Sequence, residues 1–233
     1  MKILGGVALD SKEGIMAVGL FLGTGALVAA TVISTKTRSR IAAGAIAVAT
    51  LSFQMFHLLE HSFQVYFWAK EPNDTWLSTV ALQTAHGLNQ YCSLIMPTGT
   101  DRQFKVGLEV LHLLGNTIFL CGIIALGMVM RRGSASEEFG HTSYGTSIRK
   151  AQFWETIHVV EHVVLTFTIV LTGRARGLSS LGGFVDGAPV LAWRVWFHFI
   201  LHCISTVYLV RSMWQYWNVY HRVPRTNHLV AVH

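Results

Sequence analysis

Gln54-Met55-Phe56-His57-Leu58-Leu59-Glu60-His61 lies inside the apolar run Ile41–Trp68, and its reading decides the fold. The run exceeds the ~20 residues needed to cross a hydrocarbon layer. Within it, His57, Glu60 and His61 stand at i, i+3 and i+4, on one face of a helix. Imidazole and carboxylate are costly in hydrocarbon, so this face must turn into a bundle and meet partners there. The pattern returns in Glu155-Thr156-Ile157-His158-Val159-Val160-Glu161-His162, again within an apolar run.

The rest of the chain agrees with a membrane protein. Of its 233 residues 52% are hydrophobic and 13% charged, and the mean hydropathy is +0.44. That is too apolar for an ordinary soluble domain. The net charge of +6 comes from scattered basic residues, mostly at the ends of apolar runs, with no dense patch to grip phosphates. Nucleic-acid binding is set aside. Cys92, Cys121 and Cys203 are isolated, which argues for packing rather than a disulfide framework or a thiolate site. Residues Met1–Gly14 show no cleavable signal, so the first apolar run is expected to be retained.

Five spans are expected, at residues 15–34, 41–68, 106–130, 151–172 and 195–217, in a single all-α integral membrane domain. Residues 76–96 contain Gln83, His86, Asn89 and Gln90. They are expected to lie at the interface or dip into the bundle, a sixth span being the alternative. Five spans put Lys36/Arg38/Arg40, Arg131/Arg132/Arg149/Lys150 and Arg211/Arg222/Arg225 on one side. The positive-inside rule makes that side cytoplasmic, with the N-terminus out and the C-terminus in. An integral protein of a bacterial or archaeal inner (plasma) membrane is expected, with the lipid bilayer as its first partner. Other membrane subunits or further copies of the chain are further candidate partners. Residues 131–150 read as a polar loop and 173–189 as a flexible one covering the site. Trp68, Trp76, Trp193, Trp196, Trp214 and Trp217 read as interface anchors.

The acids within the spans are Glu60, Glu109, Glu155 and Glu161, each within three residues of a histidine. His112 follows Glu109, and His198 and His202 stand one turn apart on the last span. Helical rise puts His112 about 10 Å below Lys105 and His202 about 12 Å below Arg194, with His162 about 18 Å above Lys150. One layer of ligands on four helices results. Glu155, only five residues from Lys150, is expected outside it. Four acids in lipid would cost on the order of 10 kcal/mol. A bound metal, with apparent free energies of about 10–16 kcal/mol in zinc peptides, offsets that. The expected ligands are His57, Glu60, His61, Glu109, His112, His158, Glu161, His162, His198 and His202, with Gln54, Gln64 and Asn116 as supporting hydrogen bonders or ordinary helix glue. The echo of the motif, each copy followed one span later by histidine, hints at a duplicated two-helix unit.

His-x-x-Glu-His is similar to the inverzincin metalloprotease signature, in which both histidines bind zinc and the glutamate activates water. The resemblance covers five residues at each place. It implies His57, His61, His158 and His162 as ligands and Glu60 or Glu161 as catalytic bases. Glu109-x-x-His112 and Glu155-x-x-His158 resemble the spacing of carboxylate-bridged di-iron bundles. His198-x-x-x-His202 resembles one histidine box of the membrane desaturases and hydroxylases.

Imidazole with carboxylate and no convergent thiolate suits Fe, Cu or Zn, and the ligands are numerous enough for one or two ions. The expected function is a redox metalloenzyme acting on a small or lipid-soluble substrate, because doubled ligand sets suit two ions sharing a substrate oxygen. The alternatives are a metal- or haem-carrying accessory subunit of a larger membrane complex and a zinc-dependent intramembrane hydrolase. Haem ligation between histidines of facing helices is the competing cofactor assignment.

Overall fold

The computed structural model describes residues 11–71, 77–95, 100–131, 139–183 and 188–222. These form α1 (Lys12–Thr37), α2 (Arg40–Lys70), α3 (Thr79–Ile95), α4 (Thr100–Arg131), α5 (Ser143–Thr172) and α6 (Ala188–Arg222), with short 3₁₀ turns at Phe139–His141 and Leu178–Gly183. No strand occurs among the described residues. All helices but α3 are long and apolar enough to cross a membrane.

Side-chain oxygens set the helix starts, taking up amides left unpaired in the first turn. Ser11 accepts from Gly14 N at 3.0 Å, Ser39 from Ala42 N at 3.3 Å, and Thr142 from Gly145 N at 3.0 Å. Between α1 and α2 the chain turns at Arg38 in the left-handed region (φ 56°). The Thr142 cap shows why the expected loop over 131–150 is too long. A turn of 3₁₀ helix and the first two turns of α5 occupy its second half, while residues 132–138 lie outside the described residues.

Helices α2, α4, α5 and α6 close into a ring in which each packs against the next, α6 returning to α2. Neighbours in this ring run antiparallel, so it is an up-down four-helix bundle. Helices α1 and α3 pack outside it, against each other and against α4. With lipid as the solvent, close van der Waals packing and interhelical hydrogen bonds hold such a bundle. Two apolar layers provide the packing. Phe119, Ile123, Ile148, Ala151 and Leu209 fill the bundle toward the Arg38 end. Cys92, Val106 and Ile169 fill it toward the other. At the Arg38 end, Ser212 Oγ donates to Tyr144 O at 2.9 Å and Ser147 Oγ to Gln215 Oε1 at 2.9 Å, tying α6 to α5.

Helix α3 packs one face against α1 and α4. Its Ala81, Ala85, Leu88 and Cys92 are buried, while His86 lies on the exposed face. Ser78, just before α3, bonds Glu60, ten residues short of the end of α2. The chain has thus doubled back by about 15 Å along that helix. Trp68, expected as an interface anchor, is buried, whereas Trp193, Trp196, Trp214 and Trp217 are exposed. Trp76 lies outside the described residues.

Candidate metal centre

Between the two apolar layers seven imidazoles gather from all four ring helices: His57 and His61 from α2, His112 from α4, His158 and His162 from α5, and His198 and His202 from α6. The i, i+4 spacing puts each pair on one face, and the bundle turns those faces inward. His61, His158, His162, His198 and His202 are buried. Ring centroids are 4.7 Å apart for His57 and His61, 4.5 Å for His61 and His202, and 4.5 Å for His158 and His202. On the other flank, His162 and His198 stack at 4.7 Å and His112 and His162 at 5.2 Å.

Among the described residues, three groupings bring one ligand atom per residue within 4.8 Å of the others: His57/His61/His202, His158/His162/His198, and Glu155/His158/His202. The first and second share no residue, and the third joins them through His158 and His202.

One nitrogen of several rings is held from behind. Gln64 Oε1 lies 2.9 Å from His61 Nδ1, Gln54 Nε2 3.0 Å from His202 Nδ1, and Glu109 Oε2 2.9 Å from His162 Nδ1. His112 Nδ1 donates to Leu108 O at 2.9 Å. The inward nitrogens differ. Nε2 of His57, His61, His162, His198 and His202, and both nitrogens of His158, are buried without a hydrogen-bond partner. Gln64 and Glu109 each accept from a ring Nδ1–H, which leaves the inward Nε2 of His61 and His162 with its lone pair, as in metal-ligating histidine. Gln54 instead donates its amide to His202 Nδ1 and ties α2 to α6.

The acids are distributed differently from the sequence expectation. Glu60 Oε1 accepts from the amide of Ser78 at 3.1 Å and from its hydroxyl at 2.9 Å. Glu161 accepts from Leu178 N at 3.0 Å, Ser179 N at 2.8 Å and Ser179 Oγ at 2.7 Å. Neither belongs to the three groupings, and both carboxylates face the returning segments. At i+3 from the first histidine the acid lies on the flank of the inward face, where a returning chain segment reaches it. A Cβ at Gly177 would overlap the Glu161 carboxylate, so a larger residue there would push that side chain off its amides. Within the expected loop 173–189, the described residues 173–183 are held on α5 through Arg176, Leu178 and Ser179, and 184–187 lie outside the described residues.

Glu109 bonds His162 and pairs with Arg194, and so stands behind the imidazoles rather than among them. Glu155, expected outside the layer, sits within it beside His158 and His202. The depth argument failed because α5 begins at Ser143, not near Lys150, which puts Glu155 more than three turns into the helix. Cys92, Cys121 and Cys203 are free thiols, and none joins a grouping.

No curated protein and no solved structure matches the chain. One sequence family does, and it runs from the residue after Met1 almost to the C-terminus, taking in both histidine motifs, the returning segments and the His198/His202 pair. With residues 2–230 matched, the chain belongs to the family of unknown function DUF6008.

Proposed function

We propose that this chain is an intramembrane metalloprotein. His57, His61 and His202 hold one transition-metal ion and His158, His162 and His198 a second, with Glu155 between them. The supporting observation is the set of buried imidazole nitrogens that converge without partners. A bundle stitched only by polar contacts would leave these groups unsatisfied, at about 1–3 kcal/mol each. Metal coordination satisfies them, with apparent free energies of about 10–16 kcal/mol where measured in zinc peptides. Imidazole-dominated sets with one carboxylate suit Cu, Fe or Zn.

Two adjacent ions favour redox chemistry on a small or lipid-soluble substrate, since a pair can clamp one substrate oxygen from two sides. In a zinc hydrolase the carboxylate that activates water would have to be Glu155, whose oxygens have no hydrogen-bond partner, since Glu60 and Glu161 are engaged by returning amides. Haem is disfavoured because the imidazoles group in threes, whereas haem iron takes one or two protein ligands. The basic residues at the Arg38 end, with Arg211 one residue from the Ser212 contact to Tyr144, make that end cytoplasmic. The centre then lies in the opposite leaflet.

Elemental analysis and absorption spectroscopy of detergent-purified protein test the reading. About two Fe or Cu per chain supports a redox pair. Zinc alone removes the redox part, and a haem band removes the paired-ion centre.

A further inference from the structure

Beside the imidazole cluster lies a cavity of about 720 Å³, bounded by α1, α2, α3 and α4. Its inner end is formed by His57, His112 and Gly115, and Glu60 and Ser78 stand in its wall. Nearly all the remaining lining is aliphatic or aromatic. Phe56, Leu59, Phe63 and Val80 belong to that lining and are also exposed on the outer surface of the bundle. Helices α1 and α2 are long and apolar enough to cross a membrane, and as spans they would turn this outer surface to lipid.

We infer that this cavity is a substrate site that loads sideways from the bilayer and takes an uncharged amphiphile, a long apolar body with one small polar end group. The inference rests on the metal-centre reading for what happens at the inner end. Three features support the assignment. The volume falls within the about 300–1,000 Å³ of small-molecule sites, and the lining is apolar with a few polar groups at defined points. Those polar groups include His57 and His112 at the inner end, and His57 belongs to the first imidazole triad, so the cavity opens onto the cluster. The inner end is kept open by the absence of a side chain at Gly115, where a Cβ would stand 3.7 Å from His57 Cε1 and 3.8 Å from His57 Nε2. Alanine fits that space in ordinary contact, while a larger side chain would fill the approach to the ring.

A charged molecule would have to shed its hydration on entering such walls, and the one charged side chain of the lining, Glu60, already accepts two hydrogen bonds from Ser78. A second cavity of about 890 Å³ lies between α5, α6 and the Leu178 turn. It ends on Glu161 and touches no imidazole, so it lacks the connection that gives the first its role.

The test uses full-length protein in lipid nanodiscs with a diazirine-bearing dodecanol as photoprobe. Labelled residues are mapped by mass spectrometry with and without excess plain dodecanol. Labelling at Thr84, Leu111 or Gly115 is expected to fall about tenfold with competitor, as for a saturable site, while labelling of the lipid-facing Val207 and Val210 stays constant. Dodecyltrimethylammonium is expected not to compete. Gly115→Leu is expected to cut the saturable labelling about tenfold and Gly115→Ala to leave it. Thr84→Leu provides a second block should Gly115→Leu fail to fold. Labelling that no competitor reduces, or equal competition by the cation, would overturn the inference. Metal content measured on the same preparations separates the two readings. Saturable labelling in a chain that binds no metal removes the centre and keeps the cavity; a metal-loaded chain without saturable labelling does the reverse.

Discussion

Ser78 meets Glu60 eighteen residues downstream of it, through both backbone amide and hydroxyl, and Ser179 meets Glu161 at the same separation with the same two groups. In each copy a leucine precedes the serine, Leu77 and Leu178. The two halves thus share His-x-x-Glu-His, a helix that runs past it, and a returning segment whose serine closes on the glutamate. The glutamates of the motif are anchors for backbone, and each copy presents its histidines to the centre from a helix braced in this way.

If Glu60 and Glu161 are anchors, removing them costs stability and not metal. Glu161→Gln is expected to lower stability by about 2–3 kcal/mol, since charge-assisted bonds are lost. Ser179→Ala, which removes one of them, is expected to cost about 1–2 kcal/mol. Thermal unfolding in detergent reads both, with metal content unchanged in the folded fraction. A fall to half the metal in either glutamate variant would restore the ligand role read from the sequence.

Disjoint triads predict separable losses. His61→Ala is expected to remove one equivalent of metal and His162→Ala the other. His202→Ala is expected to affect both, because His202 belongs to one triad and, with Glu155 and His158, to the group that links them. Metal-to-protein ratios after dialysis decide this. Identical losses in all three variants would replace two sites with one.

The groups behind the rings are expected to tune affinity. Gln64→Leu removes the acceptor of the His61 Nδ1–H. It is expected to weaken metal binding about 10–100-fold without changing stoichiometry at saturation. Chelator competition measures it, and unchanged affinity would remove the supporting role.

Arg194 is the counter-charge of a buried acid. Arg194→Met leaves Glu109 with His162 alone and is expected to destabilise by about 3 kcal/mol. The double variant Arg194→Met/Glu109→Gln is expected to recover most of this, because no uncompensated charge remains. Thermal unfolding of the two variants gives the comparison, and a double variant no more stable than the single would contradict it.

The histidines and the five long helices were legible in the sequence because hydrophobic run length and i, i+4 spacing are local signals. The roles of the acids were not. Glu60, Glu109, Glu155 and Glu161 all stand within one turn of a histidine, and spacing alone cannot tell an acid that meets an imidazole from one that meets a returning amide. That distinction depends on Ser78 and Ser179, distant in the chain and set in stretches that read as loop or interfacial helix. The repeat of Leu-Ser at one separation from both glutamates was the available signal. Depth failed for Glu155 because it was counted from Lys150, whereas the Thr142 cap starts α5 earlier.

X-ray absorption at the metal edge of the loaded, detergent-purified protein tests the central claim most directly. Convergence of the triads predicts a nitrogen- and oxygen-dominated shell at about 2.0–2.1 Å for zinc, with the outer scattering of several imidazoles per ion. A shell of water oxygens without imidazole scattering, or no metal retained after incubation with Fe, Cu and Zn in turn, would contradict it.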